Sequence, residues 1–194
     1  MKAPVYLVLL HYPMLNKRGE TITTAVTNLD IHDISRSART YCVNTFFIVT
    51  PILEQHEIVN RILGHWREER AQKAHPDRVE AVNRVKLVRD FDEVLSEISA
   101  ENTEGPEVFM PDARTLKGSI GYKELRQELE ESDRTRPLVI VLGTGWGIAE
   151  EFFPRVDRFL NPILGPEGRQ DEGGYNHLSV RAAAAIILDR LFGN

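Results

Sequence analysis

Short apolar runs interleaved with helical periodicity constrain this chain more than any other feature. The runs are VYLVLL (Val5 to Leu10), TFFIVT (Thr45 to Thr50), VKLV (Val85 to Val88), EVFM (Glu107 to Met110) and PLVIVLG (Pro137 to Gly143). Rich in valine, isoleucine and phenylalanine, they lack the alternation of a half-exposed strand. They therefore predict parallel strands covered on both faces. Between them, ILEQHEIVNRILGHWREER, DFDEVLSEISA and GYKELRQELEES space apolar residues three or four apart, as helices do. The alternation predicts an α/β fold, a mostly parallel sheet flanked by helices.

A chain of 194 residues suits a single domain, 1–194, that buries about 70% of its unfolded surface. No apolar run approaches the roughly 20 residues that span a bilayer, so no membrane association is expected. The N-terminal segment meets His11 and Pro13 rather than a small-residue cleavage site, and reads as a first strand. The lone cysteine, Cys42, fits a reducing cytoplasm and reads as an inert buried thiol. A net charge of −5 argues against broad, nonspecific binding to nucleic acid but leaves room for a local basic patch.

Several chemistries find no support. The six histidines are scattered, with no HExxH, Cys-His array or EF-hand loop, so no metal is expected. GSIG around Ser119 is not a nucleophile elbow. HWREERAQKAHPDR (His65 to Arg78) dilutes its basic residues with acids and reads as a solvated helix end and loop.

Four stretches carry more. The threonine-rich connection Asn16 to Asn28 is longer than a usual strand-to-helix loop, so it is functional or mobile. The segment Asn161 to Tyr175, with its prolines and glycines, is irregular. Gly143-Thr144-Gly145-Trp146-Gly147 follows a strand directly, and such glycines let backbone approach a ligand. The dinucleotide fingerprint fails there because Ile148 holds the third glycine position, which weakens a dehydrogenase reading. The turn is either a plain strand-to-helix connection or a small-molecule loop at a strand's carboxyl end. Finally, Asp30, His32, Asp33, Arg36 and Arg39 fall within ten residues on a predicted helix. They could clamp a phosphate or steer an acidic substrate, although charge pattern alone favours a solvated face with a weak ion pair.

The last helix is apolar over much of its circumference. Leu178, Ala182, Ala185 and Leu188 form one stripe; Val180, Ala184, Ile187 and Leu191 form another. Such a helix needs cover on two sides, one from its own sheet and one that a second subunit could supply. Asn176 to Ser179 offers the residues that cap a helix N-terminus.

The glycine turn, the acidic-basic helix and the ending NHLSVRAAAAIILDRL line up in order with one group of proteins. The chain resembles the SPOUT superfamily of S-adenosylmethionine-dependent RNA methyltransferases over essentially its whole length. Within it the chain looks most like a small bacterial family of predicted RNA methyltransferases. Its ending is similar to the C-terminal motif of the tRNA guanine-N1 methyltransferases and their relatives. The resemblance implies a C-terminal deep trefoil knot, a homodimer formed through it, and S-adenosylmethionine held by three loops. Those loops fall on Leu142, Gly143, Thr144, Gly145, Trp146 and Gly147; on the turn that begins at Asn161, with Pro162, Ile163, Leu164 and Gly165; and on Asn176, His177, Leu178 and Ser179.

The superfamily motif that places an asparagine six residues before an arginine falls on Asp30 and Arg36, and Cys42 stands where glycine is common. In ribose methyltransferases of the superfamily that arginine helps activate the target hydroxyl. With aspartate in place of asparagine, a base methyltransferase or an altered proton acceptor fits equally well. Asp30, His32 and Asp33 are the candidate bases, and Arg36 the candidate for phosphate anchoring or activation. The implied function is methyl transfer to a base or ribose of tRNA or rRNA in the cytoplasm. The alternative is a noncatalytic nucleotide- or RNA-binding module on the same scaffold.

Overall fold

The structure, a computed structural model, describes residues 3–131, 134–166 and 176–194. Its centre is β1 (Val5–Leu10), buried at all six positions. On one side lie β4 (Thr45–Val49) and then β5 (Val85–Val88). On the other lie β7 (Leu138–Gly143), β6 (Glu107–Pro111) and the edge strand β8 (Arg158–Leu160). Every pairing in this six-stranded sheet is parallel, as continuous apolar runs require. The expected strands are all present; β8 is an addition, three residues long and carrying an arginine.

Alternate residues of β1 serve opposite faces. Val5, Leu7 and Leu9 pack with α1 (Asn28–Thr40), α6 (Tyr122–Glu131) and α7 (Val180–Phe192). Tyr6, Val8 and Leu10 pack with α5 (Phe91–Glu101) and with Phe152 of a 3-10 helix, Glu150–Arg155. Burying each such leucine or valine contributes about 1.5–3 kcal/mol. Ile148, the residue that breaks the dinucleotide fingerprint, fills the second of these cores.

Two expectations need correction. The stretch from His65 is not a helix end followed by a loop. After α2 (Leu53–Arg67) come α3 (Glu69–Ala74) and α4 (Pro76–Val82). Pro76 suits the first turn of α4, where its missing N–H is no loss, and Val79 and Val82 bury the helix. Cys42 is exposed, not buried. It ends α1 with φ +58°, while Val43 N–H donates to Ala38 O (2.9 Å) and Cys42 N–H to Arg39 O (3.3 Å). That is the left-handed helix stop for which glycine is preferred.

The long connection after β1 is ordered. It forms a small hairpin, β2 (Met14–Leu15) with β3 (Thr21–Ile22), and its backbone pairs with the glycine turn. Leu15 N–H donates to Gly147 O (2.9 Å) and Trp146 N–H to Leu15 O (3.1 Å). The end of the irregular segment, 167–175, lies outside the described residues. Among the described residues no helix is long and apolar enough to cross a membrane.

Candidate active site

The chain runs outward from β1 through β4 to β5, then returns on the other side through β6, β7 and β8. Loops leaving β1, β6 and β7 therefore diverge at the carboxyl edge, where open parallel sheets bind ligands. A cavity of about 620 Å3 lies there. It is within the usual range for a cofactor-sized molecule.

The glycine turn forms one wall, from Leu142 to Gly147. Gly145 and Gly147 have φ +60° and +105°, backbone that side-chain-bearing residues resist. A Cβ on Gly145 would also stand 3.1 Å from Leu15 O. Thr144 is tied inward: its Oγ1 lies 2.5 Å from Thr24 Oγ1, which lies 3.0 Å from His11 Nδ1. Burial pushes His11 down to about 4, against the raising influence of Asp30, so the ring is neutral near pH 7. Trp146 is exposed at the rim, its ring 6.4 Å from that of His177.

Ile163 and Asn176 to Ser179 also line the cavity, whereas Pro162, Leu164 and Gly165 lie off its wall. Ser179 accepts from Ala182 N–H (3.2 Å), so its hydroxyl caps α7. Asn176 Nδ2 donates to Ala113 O at 3.4 Å.

The four acid-base candidates separate. Asp30 lines the cavity, is 4% exposed, and has both oxygens engaged: Oδ2 accepts from Thr27 Oγ1 (2.5 Å), Oδ1 from Arg181 Nη1 (2.9 Å). Asp33 does not line it but pairs with Arg181 Nε at 3.4 Å. His32 faces away, accepting the Trp66 indole N–H at Nε2 (3.2 Å). Burial, then Arg78, lowers its pKa. Arg36 is exposed, outside the cavity wall.

Sequence reasoning missed two groups. Met110 to Arg114, at the end of β6, form a further wall. There Arg114 grips Asp112 through Nε (2.9 Å) and Nη2 (3.0 Å). Burial alone would raise the Asp112 carboxyl, but Arg114 overrides it and holds the group below its usual range. No motif marks these residues; only their place after a strand could have. Arg181 did leave a signal. It stands in the first turn of α7, where the helix dipole disfavours a cation, and two carboxylates of α1 hold it there.

Comparison with solved structures places the fold among methyltransferases. A putative methylase from Neisseria gonorrhoeae superposes with a TM-score of 0.62 at 15% identity, covering 98% of this chain and 82% of that one. The SpoU methyltransferase AviRb from Streptomyces viridochromogenes, solved with AdoMet, does so at 0.54 and 14% identity, covering 98% and 60%.

In sequence, this chain belongs to the family of SAM-dependent RNA methyltransferases whose profile it matches over residues 4–193. An uncharacterized protein of Aquifex aeolicus (strain VF5) is 43% identical over 188 residues, 97% of this chain and 88% of that protein. A tRNA (guanine-N(1)-)-methyltransferase of Nitratidesulfovibrio vulgaris is 39% identical over 190 residues, 98% of this chain but only 42% of that protein. The cofactor is thus S-adenosylmethionine and the reaction methyl transfer to RNA. The residues fit the cofactor: Leu142, Ile163 and Ile187 give apolar walls, and the Asp112–Arg114 pair suits a zwitterionic amino acid.

Proposed function

We propose that the chain methylates a nucleotide of tRNA or rRNA, with the cofactor held by the glycine turn, Ile163 and Asn176 to Ser179. One observation carries the reading: these separate segments converge on a single cavity that Thr27, Asp30 and Arg181 also line. The cofactor supplies a sulfonium methyl with its leaving group built in. The protein's task is to align the acceptor for in-line attack and take up its proton. Asp30, alone of the four candidates at the cavity wall, is the proton acceptor, with Arg181 and Thr27 orienting its carboxylate. Asp33 steadies Arg181, His32 fastens α1 to Trp66, and the exposed Arg36 is left to anchor RNA phosphate.

The same reading extends to assembly. Residues 1–194 act as one domain, the ending threads as a trefoil knot, and two copies pair through α7 in the cytoplasm. Support for pairing comes from α7 itself: Ala184, Ile187, Leu188 and Leu191 are buried, while Ala182, Ala185 and Ile186 remain half-covered.

The test is methyl transfer from labelled S-adenosylmethionine to total RNA from a strain lacking the protein. The wild-type chain transfers label, and Asp30→Asn loses at least about a hundredfold in rate while retaining the cofactor. An unaltered rate in that variant overturns Asp30 as base; no transfer by the wild type overturns the function.

A further inference from the structure

Beside the cofactor cavity, and sharing Tyr122 with it, is a second cavity of about 500 Å3. Its lining is Gly121, Tyr122, Lys123, Arg126, Asn161 and Arg190, with no carboxylate among the described residues. Lys123 and Arg126 are three apart on α6 and share a face. Arg190 comes from the last turn of α7, its guanidinium 5.2 Å from the centre of the Tyr122 ring. Arg126 also binds Glu130 Oε1 at 2.8 Å, a surface pair that contributes little. Neither Lys123 nor Arg190 has an ion-pair partner among the described residues.

The remaining groups are donors too. Asn161 Oδ1 is taken by Ser119 Oγ (2.5 Å), which leaves its amide nitrogen to donate. Gly121 precedes α6 and has no side chain to cap it, so the first-turn N–H groups of Tyr122 and Lys123 keep no acceptor among the described residues. The Tyr122 hydroxyl is buried without a partner among the described residues. Burial, opposed by Arg190, pushes it up to about 12, so it too keeps its proton. In a chain of net charge −5, a cavity made of donors and three cations is built for an anion.

We propose that this second cavity binds a phosphodiester of the RNA whose acceptor nucleotide enters the cofactor cavity. The inference rests on the RNA methyltransferase reading. Phosphate contacts of this kind fix the register of a strand without reading its bases. The shared Tyr122 puts such a contact next to the reaction.

The test compares the wild-type chain with Lys123→Gln/Arg126→Gln, neither position lining the cofactor cavity. Binding of unfractionated tRNA is measured across salt concentrations, and S-adenosylmethionine binding by calorimetry. The expected result is unchanged cofactor affinity, weaker tRNA binding, and a salt slope reduced by about 1 for each phosphate-contacting side chain removed. Equal tRNA affinity and slope in the two proteins overturns the proposal. So does a wild-type chain that binds cofactor but no tRNA, although the cofactor reading then stands. Failure to bind cofactor instead overturns the cavity assignment. Titration with inorganic phosphate is the remaining arm: binding lost in the variant while tRNA binding is unchanged assigns the cavity to a free anion and overturns the RNA assignment.

Discussion

At the scale of single residues, the site is held by polar groups that water does not reach. His11 is fully buried, its Nδ1 on Thr24 and its Nε2 without a partner among the described residues. In an unfolded chain the imidazole titrates near 6.5; here it is lowered to about 4. Between those values the unfolded chain binds the extra proton, so stability falls as pH drops from about 6.5 to about 4. Near pH 7 the contribution is intact, and below about 4 nothing further is lost. Each pH unit in the window removes at most about 1.4 kcal/mol. Urea unfolding of the wild type and His11→Asn at pH 7, 6, 5 and 4.5 checks this: the variant loses less stability over the range. Equal slopes contradict it. The histidine was visible in the sequence, but nothing there marked it as buried beneath Thr24.

At the scale of elements, α1 joins the core to the site, and its end is strained. Cys42 holds a left-handed conformation that favours glycine, with the backbone of Val43 and Cys42 closing the last turn. Cys42→Gly relieves about 1–2 kcal/mol of left-handed strain and costs about 0.5–1 kcal/mol of chain entropy, so a net rise in melting temperature is expected. In the unsubstituted chain the exposed thiol reacts with a disulfide reagent without unfolding. A drop in melting temperature on substitution contradicts the account. Which elements were legible follows from burial. The runs of β1, β4 and β7 were legible because both faces are covered, so nearly every residue carried the signal; β5 and β6 showed it less fully, with Lys86 and Glu107 half-exposed. β8 was missed because three residues at a sheet edge, beginning with Arg158, have no pattern to show. α3 and α4 were hidden by charge: Val79, Ala81 and Val82 mark the buried side of α4 among acids and bases.

At the scale of the whole molecule, the cavity is assembled from residues as far apart as Thr24 and Ile187. The glycine turn was legible as a strand-end loop and Asn176 to Ser179 as a helix cap, but only the resemblance assigned both to one cofactor. Met110 to Arg114 could not be read, since their part depends on where β6 ends relative to β7. Nor could the pairing of Arg181 with Asp30, which spans 151 positions. The central claim is that this cavity is the S-adenosylmethionine site, and calorimetric titration of the full chain with that cofactor tests it most directly. A Kd on the order of 1 μM or tighter is expected. Gly147→Ala, which forces a Cβ onto φ +105°, is expected to weaken binding at least about tenfold with the fold retained. Absence of binding at millimolar cofactor, or equal affinity in the folded variant, would contradict the claim.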